Sequence, residues 1–126
     1  MPEIPDKKTG LARIVAATFY SLAGLRAAFK SEAAFRQELL LFAVSLAVLY
    51  WLPLPLVYKL SILFANTIVL IVELLNSALE AIADMTSPEF NPLVKKAKDF
   101  GSAAVFLSLL LVVVLWGLAI LHLLGH

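Results

Sequence analysis

Residues 60–84 read LSILFANTIVLIVELLNSALEAIAD. The apolar part, residues 60–83, is long enough to span a membrane, because about 20 helical residues cross the roughly 30 Å hydrocarbon core. It nevertheless contains two carboxylates, Glu73 and Glu80. An acidic residue near the middle of a membrane helix costs on the order of 2.5–3.5 kcal/mol on insertion scales, so it is retained where it faces a partner, a metal or water. The segment therefore predicts a membrane helix with a functional face.

Two other segments are equally apolar. Residues 39–58 lie between Glu38 and Lys59 without a charge, and residues 100–126 contain no Asp, Glu, Lys or Arg. Over the whole chain of 126 residues, 62% are apolar and 15% are charged, whereas an average soluble domain is about 45–50% apolar and about 25% charged. This composition argues against a soluble enzyme, a disordered tail and a nucleic-acid-binding protein, and the lack of cysteine excludes disulfides and thiolate chemistry. We expect an all-α membrane protein with three transmembrane helices.

The basic residues predict the orientation of these spans. Six of them precede the first span, Lys95, Lys96 and Lys98 lie between the second and third, and Lys59 alone lies in the opposite loop. By the positive-inside rule, the N-terminus is cytoplasmic and the C-terminus lies outside. Pro53 and Pro55 predict a turn at the outer surface.

The first residues predict an amphipathic helix at the cytoplasmic membrane surface. Its apolar stripe has helical spacing and consists of Leu11, Ile14, Val15, Thr18, Leu22, Leu25 and Phe29. The alternative is a helix that packs on a partner subunit. Asn91-Pro92 favours a helix start, with Asn91 as the cap and Pro92 in the first turn. We therefore predict a single domain over 1–126, with a surface helix at about 9–35 and spans at 36–52, 60–83 and 92–123, the last with a cytoplasmic extension.

The second span carries its polar residues on one face. At 100° per residue they fall within an arc of about 100°, and they are Asn66, Glu73, Asn76, Ser77, Glu80 and Asp84. Helix–helix hydrogen bonding is an equally good interpretation for Asn66 and Ser77, and a loop or capping role is as good for Asp84. Carboxylates with Lys98 nearby suit Mg²⁺, which takes one or two carboxylates plus substrate phosphates. Since three spans enclose such a stripe poorly, we expect an oligomer with sites between subunits.

Two motifs resemble those of the bacterial integral-membrane diacylglycerol kinases. The first is the run from Glu73 to Asp84 (ELLNSALEAIAD), and the second is the run from Ala97 to Ala104 (AKDFGSAA). The resemblance extends to residues of the N-terminal region, namely Arg13, Tyr20-Ser21, the run from Gly24 to Ala28 and the run from Glu32 to Glu38.

The resemblance implies a homotrimeric lipid kinase of the bacterial inner membrane. It implies transfer of the γ-phosphoryl group of MgATP to diacylglycerol, with phosphatidic acid as the product at the cytoplasmic face. Glu73 is the implied general base, Asn76 helps to position it, and Glu32 and Glu80 are the implied Mg²⁺ ligands. The implied nucleotide-binding residues are Arg13, Tyr20, Glu32, Glu80, Glu89, Asn91, Lys98 and Asp99. The implied lipid-binding residues are Arg13, Ser21, Arg26, Phe29, Ala34, Gln37, Glu73 and Ser102.

Three alternatives stay open at this point. A Gram-positive branch of the same family phosphorylates undecaprenol, and Glu89-Phe90-Asn91 departs from the Glu-Tyr-His that many members of the family carry. A small oligomeric proton or ion conductor would use Glu73 and Glu80 as an intramembrane relay, although the outer half of the second span offers it only Asn66 and Thr67. A non-catalytic assembly subunit leaves Glu73 without a function.

Overall fold

The computed structural model describes Asp6 and residues 8–86 and 91–125. Four helices follow one another, and no strand occurs among these residues: α1 (Gly10–Ser31), α2 (Ala33–Trp51), α3 (Leu56–Thr86) and α4 (Pro92–Leu124). The last three are long and apolar enough to cross a membrane. The predicted all-α fold, with an N-terminal helix and three membrane helices, is confirmed.

The N-terminal helix is shorter than predicted. Glu32 has an extended backbone (φ −110°, ψ 104°), and its N–H still bonds to the carbonyl of Ala28 at 2.9 Å. This single extended residue ends α1 at Ser31, and α2 then begins at Ala33. Position 32 is neither glycine nor proline, so the local sequence does not mark the break. The described residues fall into two compact units, of which the first ends at Ala33 and the second begins at Ala34.

In the first unit, α1 leaves its large apolar side chains uncovered. Leu11, Phe19 and Leu22 are 76%, 67% and 57% exposed, respectively. A helix of a water-soluble protein buries such residues on its core side. Their exposure on α1 agrees with the predicted interfacial helix, because an apolar stripe of this kind inserts into the boundary between lipid headgroups and acyl chains.

The predicted proline turn forms the connection between α2 and α3. The last turn of α2 continues to Leu52, whose N–H bonds to Val48, and Pro55 accepts the N–H of Tyr58 at the start of α3. Proline suits this position because a helix start leaves the first N–H groups without intrahelical partners. A small core closes this end of the second unit, which we call the proline end, and its buried members are Leu49, Leu54, Ile62 and Ala119.

Helices α3 and α4 form the main packing contact of the second unit. At the proline end the Tyr58 ring lies 4.9 Å from the His122 ring, and at the other end Asp84 pairs with Lys98. The start of α3 therefore meets the end of α4, so the two helices are antiparallel. The opposite end, where α3 ends and α4 begins, carries the charged side chains, and we call it the charged end.

Candidate active site

The polar stripe of α3 runs from the buried middle of the helix to the charged end. Glu73 is only 6% exposed and shares the buried face of α3 with Asn66 and Val69, which are 8% and 4% exposed. Asn76 is half-buried, and Glu80, two turns after Glu73, is exposed. The helix therefore places its carboxylates at successive heights, with the buried Glu73 near its middle and the exposed Glu80 nearer the charged end.

Helix α2 brings a second carboxylate near Glu73. Glu38 is half-buried, and its Oε2 atom is enclosed with no hydrogen-bond partner among the described residues. The two carboxylates are close enough for a repulsive Coulombic interaction. Sequence reasoning missed this neighbour, although Glu38 stood out as the last charged residue before the first apolar segment. Glu38 and Glu73 together form an acidic pair between α2 and α3.

Asn76 connects the stripe to α4. Its Nδ2 donates to Oε1 of Glu80 at 3.3 Å, one turn further along α3. Its Oδ1 is buried without a hydrogen-bond partner among the described residues and lies against Gly101. A Cβ at position 101 would overlap Oδ1 and lie 3.2 Å from Cγ of Asn76. Gly101 therefore permits the close approach of α3 and α4 here, as small residues commonly do between membrane helices.

A groove opens beside this contact. Its volume is about 270 Å³, and its lining is apolar apart from Asn76. The lining residues are Val72, Leu75, Asn76, Leu79, Phe100, Gly101 and Ala104.

Charged side chains of α4 complete the charged end. Nζ of Lys98 donates to Oδ1 of Asp84 at 2.5 Å, and Lys98 also lies near enough to Glu80 for an attractive interaction. Lys95 pairs with Asp99 at 2.6 Å, one turn apart on α4. The structure thus brings together Glu80 and Lys98, two of the predicted nucleotide-binding residues, and adds Asp84, to which the resemblance assigned no role.

The remaining predicted site residues are distributed over both units. Arg13, Tyr20, Ser21, Arg26 and Phe29 are exposed on α1, and Glu32 is half-buried; all six belong to the first unit. Ala34 and Gln37 are exposed on α2, and Ser102 is exposed on α4.

Asn91 has a clear structural role at the charged end. Its side chain accepts the N–H of Leu93 at 2.9 Å, and Pro92 follows as the first helical residue. This confirms the predicted start of α4. The predicted nucleotide contact Glu89 lies outside the described residues.

The site thus consists of a buried carboxylate in an apolar helix, with further carboxylates and a lysine toward the charged end, and known proteins resemble this chain. A family model described as prokaryotic diacylglycerol kinase matches residues 19–120. The chain belongs to this family. It is 48% identical over 114 residues to a diacylglycerol kinase of Pseudomonas aeruginosa, covering 90% of this chain and 93% of that protein.

Other relatives in the family match a similar share of the chain at lower identity. A diacylglycerol kinase of Escherichia coli is 41% identical over 111 residues, covering 88% of this chain and 91% of the relative. One from Helicobacter pylori is 36% identical over 115 residues, covering 91% and 90%. Membership of the family, together with the three apolar helices, makes the chain a bacterial membrane protein and an enzyme. The predicted family and enzyme class are confirmed, and neither the ion conductor nor the assembly subunit gains support.

The donor atoms present fit the divalent metal that a kinase of this family implies. Among the described residues, no three His, Asp or Glu side chains lie together in a group that could hold a metal ion. Mg²⁺ does not need such a group, since it is commonly bound through one or two carboxylates plus substrate phosphates. The exposed carboxylate of Glu80, steadied by Asn76, is a donor of this type.

Proposed function

We propose that the protein transfers the γ-phosphoryl group of MgATP to the hydroxyl of diacylglycerol, producing phosphatidic acid. The observation that carries this proposal is the burial of Glu73, 6% exposed, in an apolar helix of a chain that belongs to a kinase family. An ionisable group inside a membrane helix is a functional candidate by default, and a lipid hydroxyl is the acceptor that can reach it there.

Glu73 has the position of a general base. Its carboxylate takes the proton of the lipid hydroxyl, while a bond forms between the hydroxyl oxygen and the γ-phosphorus and the bond from that phosphorus to the β–γ bridging oxygen breaks, so ADP leaves. Phosphoryl transfer depends mainly on alignment and neutralisation of charge. The stripe on α3 suits both parts of the reaction, since the buried Glu73 can meet the lipid hydroxyl and the exposed Glu80 can meet the water-soluble nucleotide.

The charged end supplies the groups that bind the nucleotide. When bound, Mg²⁺ neutralises phosphate charge; Glu80 is the carboxylate of the charged end that would hold it, and Glu32 is a metal ligand proposed from the resemblance alone. Asn76 holds Glu80 through its 3.3 Å hydrogen bond, and the Lys98 ammonium binds a phosphate. The further nucleotide contacts proposed from the resemblance are Arg13, Tyr20, Glu89, Asn91 and Asp99, and the proposed lipid contacts are Arg13, Ser21, Arg26, Phe29, Ala34, Gln37 and Ser102.

We further propose that the site faces the cytoplasm in a homotrimer of the inner membrane. Nine of the 10 basic residues lie before the apolar segment 39–58 or between the apolar segments 60–83 and 100–126, which supports a cytoplasmic N-terminus and an outer C-terminus. Large apolar side chains exposed on the second unit, such as Phe64, Leu75 and Phe106 at 65–67%, provide surface for lipid and for neighbouring subunits. The proposed single catalytic domain therefore functions within an assembly.

Replacement of Glu73 tests the proposal. Purified protein in mixed micelles receives MgATP with diacylglycerol or undecaprenol, and the phosphorylated lipid is quantified. We expect Glu73→Gln to lower turnover by about 10²–10⁴-fold, the usual contribution of a general base, without loss of the oligomer. Thr67→Val is the matched control, because Thr67 is exposed on the same helix and bonds only to Leu63 of its own backbone among the described residues.

The outcomes separate the alternatives. Near-normal turnover by Glu73→Gln contradicts the role of the base. Phosphorylation of neither lipid by the unmodified protein contradicts the kinase proposal. Faster phosphorylation of undecaprenol than of diacylglycerol identifies undecaprenol as the acceptor and leaves the proposed phosphoryl transfer unchanged.

A further inference from the structure

Two ion pairs at the charged end differ in origin. Lys95 and Asp99 are one turn apart on α4, so helical spacing alone brings them together. Lys98 and Asp84 are 14 residues apart, and their 2.5 Å contact joins α4 to α3. This second pair forms only when the two helices pack, and the mechanism above uses Lys98 but gives Asp84 no role.

Asp84 holds Lys98 next to the proposed metal ligand. Asp84 lies one turn after Glu80 on the same face of α3; the Lys98 ammonium bonds to Asp84 and lies within Coulombic range of Glu80. Lysine carries its charge on a flexible four-carbon stem, so an unrestrained Lys98 would sample many positions. The contact with Asp84 keeps the ammonium beside Glu80.

The geometry leaves this ammonium able to bind a phosphate. A lysine ammonium has three donor hydrogens, and Asp84 accepts one of them. The side chains of Lys98 and Asp84 are 41% and 67% exposed, so a water-soluble anion can reach them. A side chain that is already held loses less conformational freedom when its ligand binds.

A purely stabilising role does not explain the pair well. Exposed ion pairs contribute little to stability, because water and salt screen them. The structure instead gives Asp84 a role in binding, since its contact with Lys98 determines where this ammonium is placed relative to Glu80.

We propose that Asp84 is a positioning residue for ATP: its carboxylate holds the Lys98 ammonium beside Glu80, where the ammonium binds a phosphate of the nucleotide. This inference rests on the proposed kinase function. It makes a prediction whose sign differs from that of simple electrostatics. A carboxylate repels the phosphates of the nucleotide, so replacing a carboxylate that has no positioning role with a neutral group would lower the KM for MgATP. Replacing Asp84 releases Lys98 and therefore raises the KM for MgATP.

The test uses the full-length protein in mixed micelles with MgATP and diacylglycerol. We expect Asp84→Asn to raise the KM for MgATP about tenfold while kcat and the KM for the lipid stay within about twofold, the pattern of a lost binding interaction. In a Lys98→Met background, Asp84→Asn should add nothing, because the two residues act as one unit. Asp6→Asn removes the same charge from an exposed position and is the control.

Exchanging the charges of the Asp84–Lys98 pair distinguishes a positioning role from a purely structural contact between α3 and α4. Asp84→Lys combined with Lys98→Asp restores the contact between α3 and α4 but presents a carboxylate where the ammonium was. We expect the KM for MgATP to stay raised in this variant. Recovery of a normal KM, an unchanged or lowered KM in Asp84→Asn, or independent effects of the two positions would each overturn the inference. If the unmodified protein phosphorylates no lipid, the proposed function itself fails, which this assay shows separately.

Discussion

Replacing Gly101 with alanine perturbs the contact between α3 and α4 at one defined point. The new Cβ would overlap Oδ1 of Asn76 and approach its Cγ to 3.2 Å, while Leu79 stays at an ordinary 3.7 Å. The Asn76 side chain must therefore rotate or the helices must separate. The hydrogen bond from Asn76 to Glu80 is already long at 3.3 Å, so rotation of the Asn76 side chain breaks it, whereas separation of the helices loses packing between α3 and α4.

The size of the effect follows from three opposing contributions. Overpacking costs about 1–3 kcal/mol, and the lost hydrogen bond costs about 0.5–1.5 kcal/mol. The better helix propensity of alanine returns about 1 kcal/mol, which leaves a net destabilisation on the order of 0.5–3.5 kcal/mol. Because Glu80 loses its support, we also expect kcat/KM for MgATP to fall by about 10–100-fold, the scale of a misplacement near 1 Å.

Gly117→Ala is the matched control. It lies on the same helix, and a Cβ there meets nothing within 4 Å. We expect it to keep wild-type kinetics and to gain about 1 kcal/mol from helix propensity. Thermal unfolding in detergent and the lipid-phosphorylation assay measure both effects.

A second variant separates packing from function. Combining Gly101→Ala with Asn76→Ala removes the overlap, so stability should recover while the loss in kcat/KM persists. Wild-type stability and kinetics in Gly101→Ala alone would refute the reasoning, as would full recovery of activity in the double variant.

Further predictions concern the start of α4, the proline end and an exposed surface position. Asn91→Ala removes the cap that accepts the N–H of Leu93 and should lower stability by about 0.5–2 kcal/mol. Asn91→Asp retains a side-chain acceptor and should keep the melting temperature of the parent chain. Equal melting temperatures of Asn91→Ala and the parent chain would contradict the capping role. Ile62 is fully buried, so Ile62→Val should lower stability by about 0.5–1.5 kcal/mol. We expect kcat to stay unchanged, because Ile62 lies at the proline end away from Glu73. A changed kcat with an unaltered melting temperature would contradict this structural role. Lys96→Gln alters an exposed residue whose ammonium lies 5.8 Å from the Phe100 ring centroid and should leave the KM for MgATP within about twofold; a larger rise would place Lys96 in the nucleotide site.

Much of the architecture could be predicted from local sequence. The three apolar segments predicted the membrane helices because apolar length against bilayer thickness is a property of each segment alone. Asn91-Pro92 predicted the start of α4, since capping involves neighbouring residues only. The break at Glu32 could not be predicted, because no glycine or proline marks it and the residues on both sides continue a helical pattern.

The candidate site divides in the same way. Helical periodicity places Glu73, Asn76 and Glu80 on one face, since positions within a helix depend only on spacing. Which residues of another helix meet that face depends on how far the neighbour is shifted and rotated. The closeness of Glu38 to Glu73 and the pairing of Asp84 with Lys98 depend on this packing between helices. The sequence alone shows these four residues only as separate charges.

The sequence by itself determined that this chain is a helical membrane protein with acidic residues concentrated on one face of its second span, because length, composition and periodicity are local properties. Resemblance in the motifs around Glu73 and Lys98 indicated the kinase family, which the match of residues 19–120 to the prokaryotic diacylglycerol kinase family confirmed. Only the tertiary structure decided that Gly101 lies against Asn76 and that Asp84 holds Lys98. Those contacts join residues 14 or more positions apart in the chain, and they exist only where antiparallel packing brings two helices to the same height.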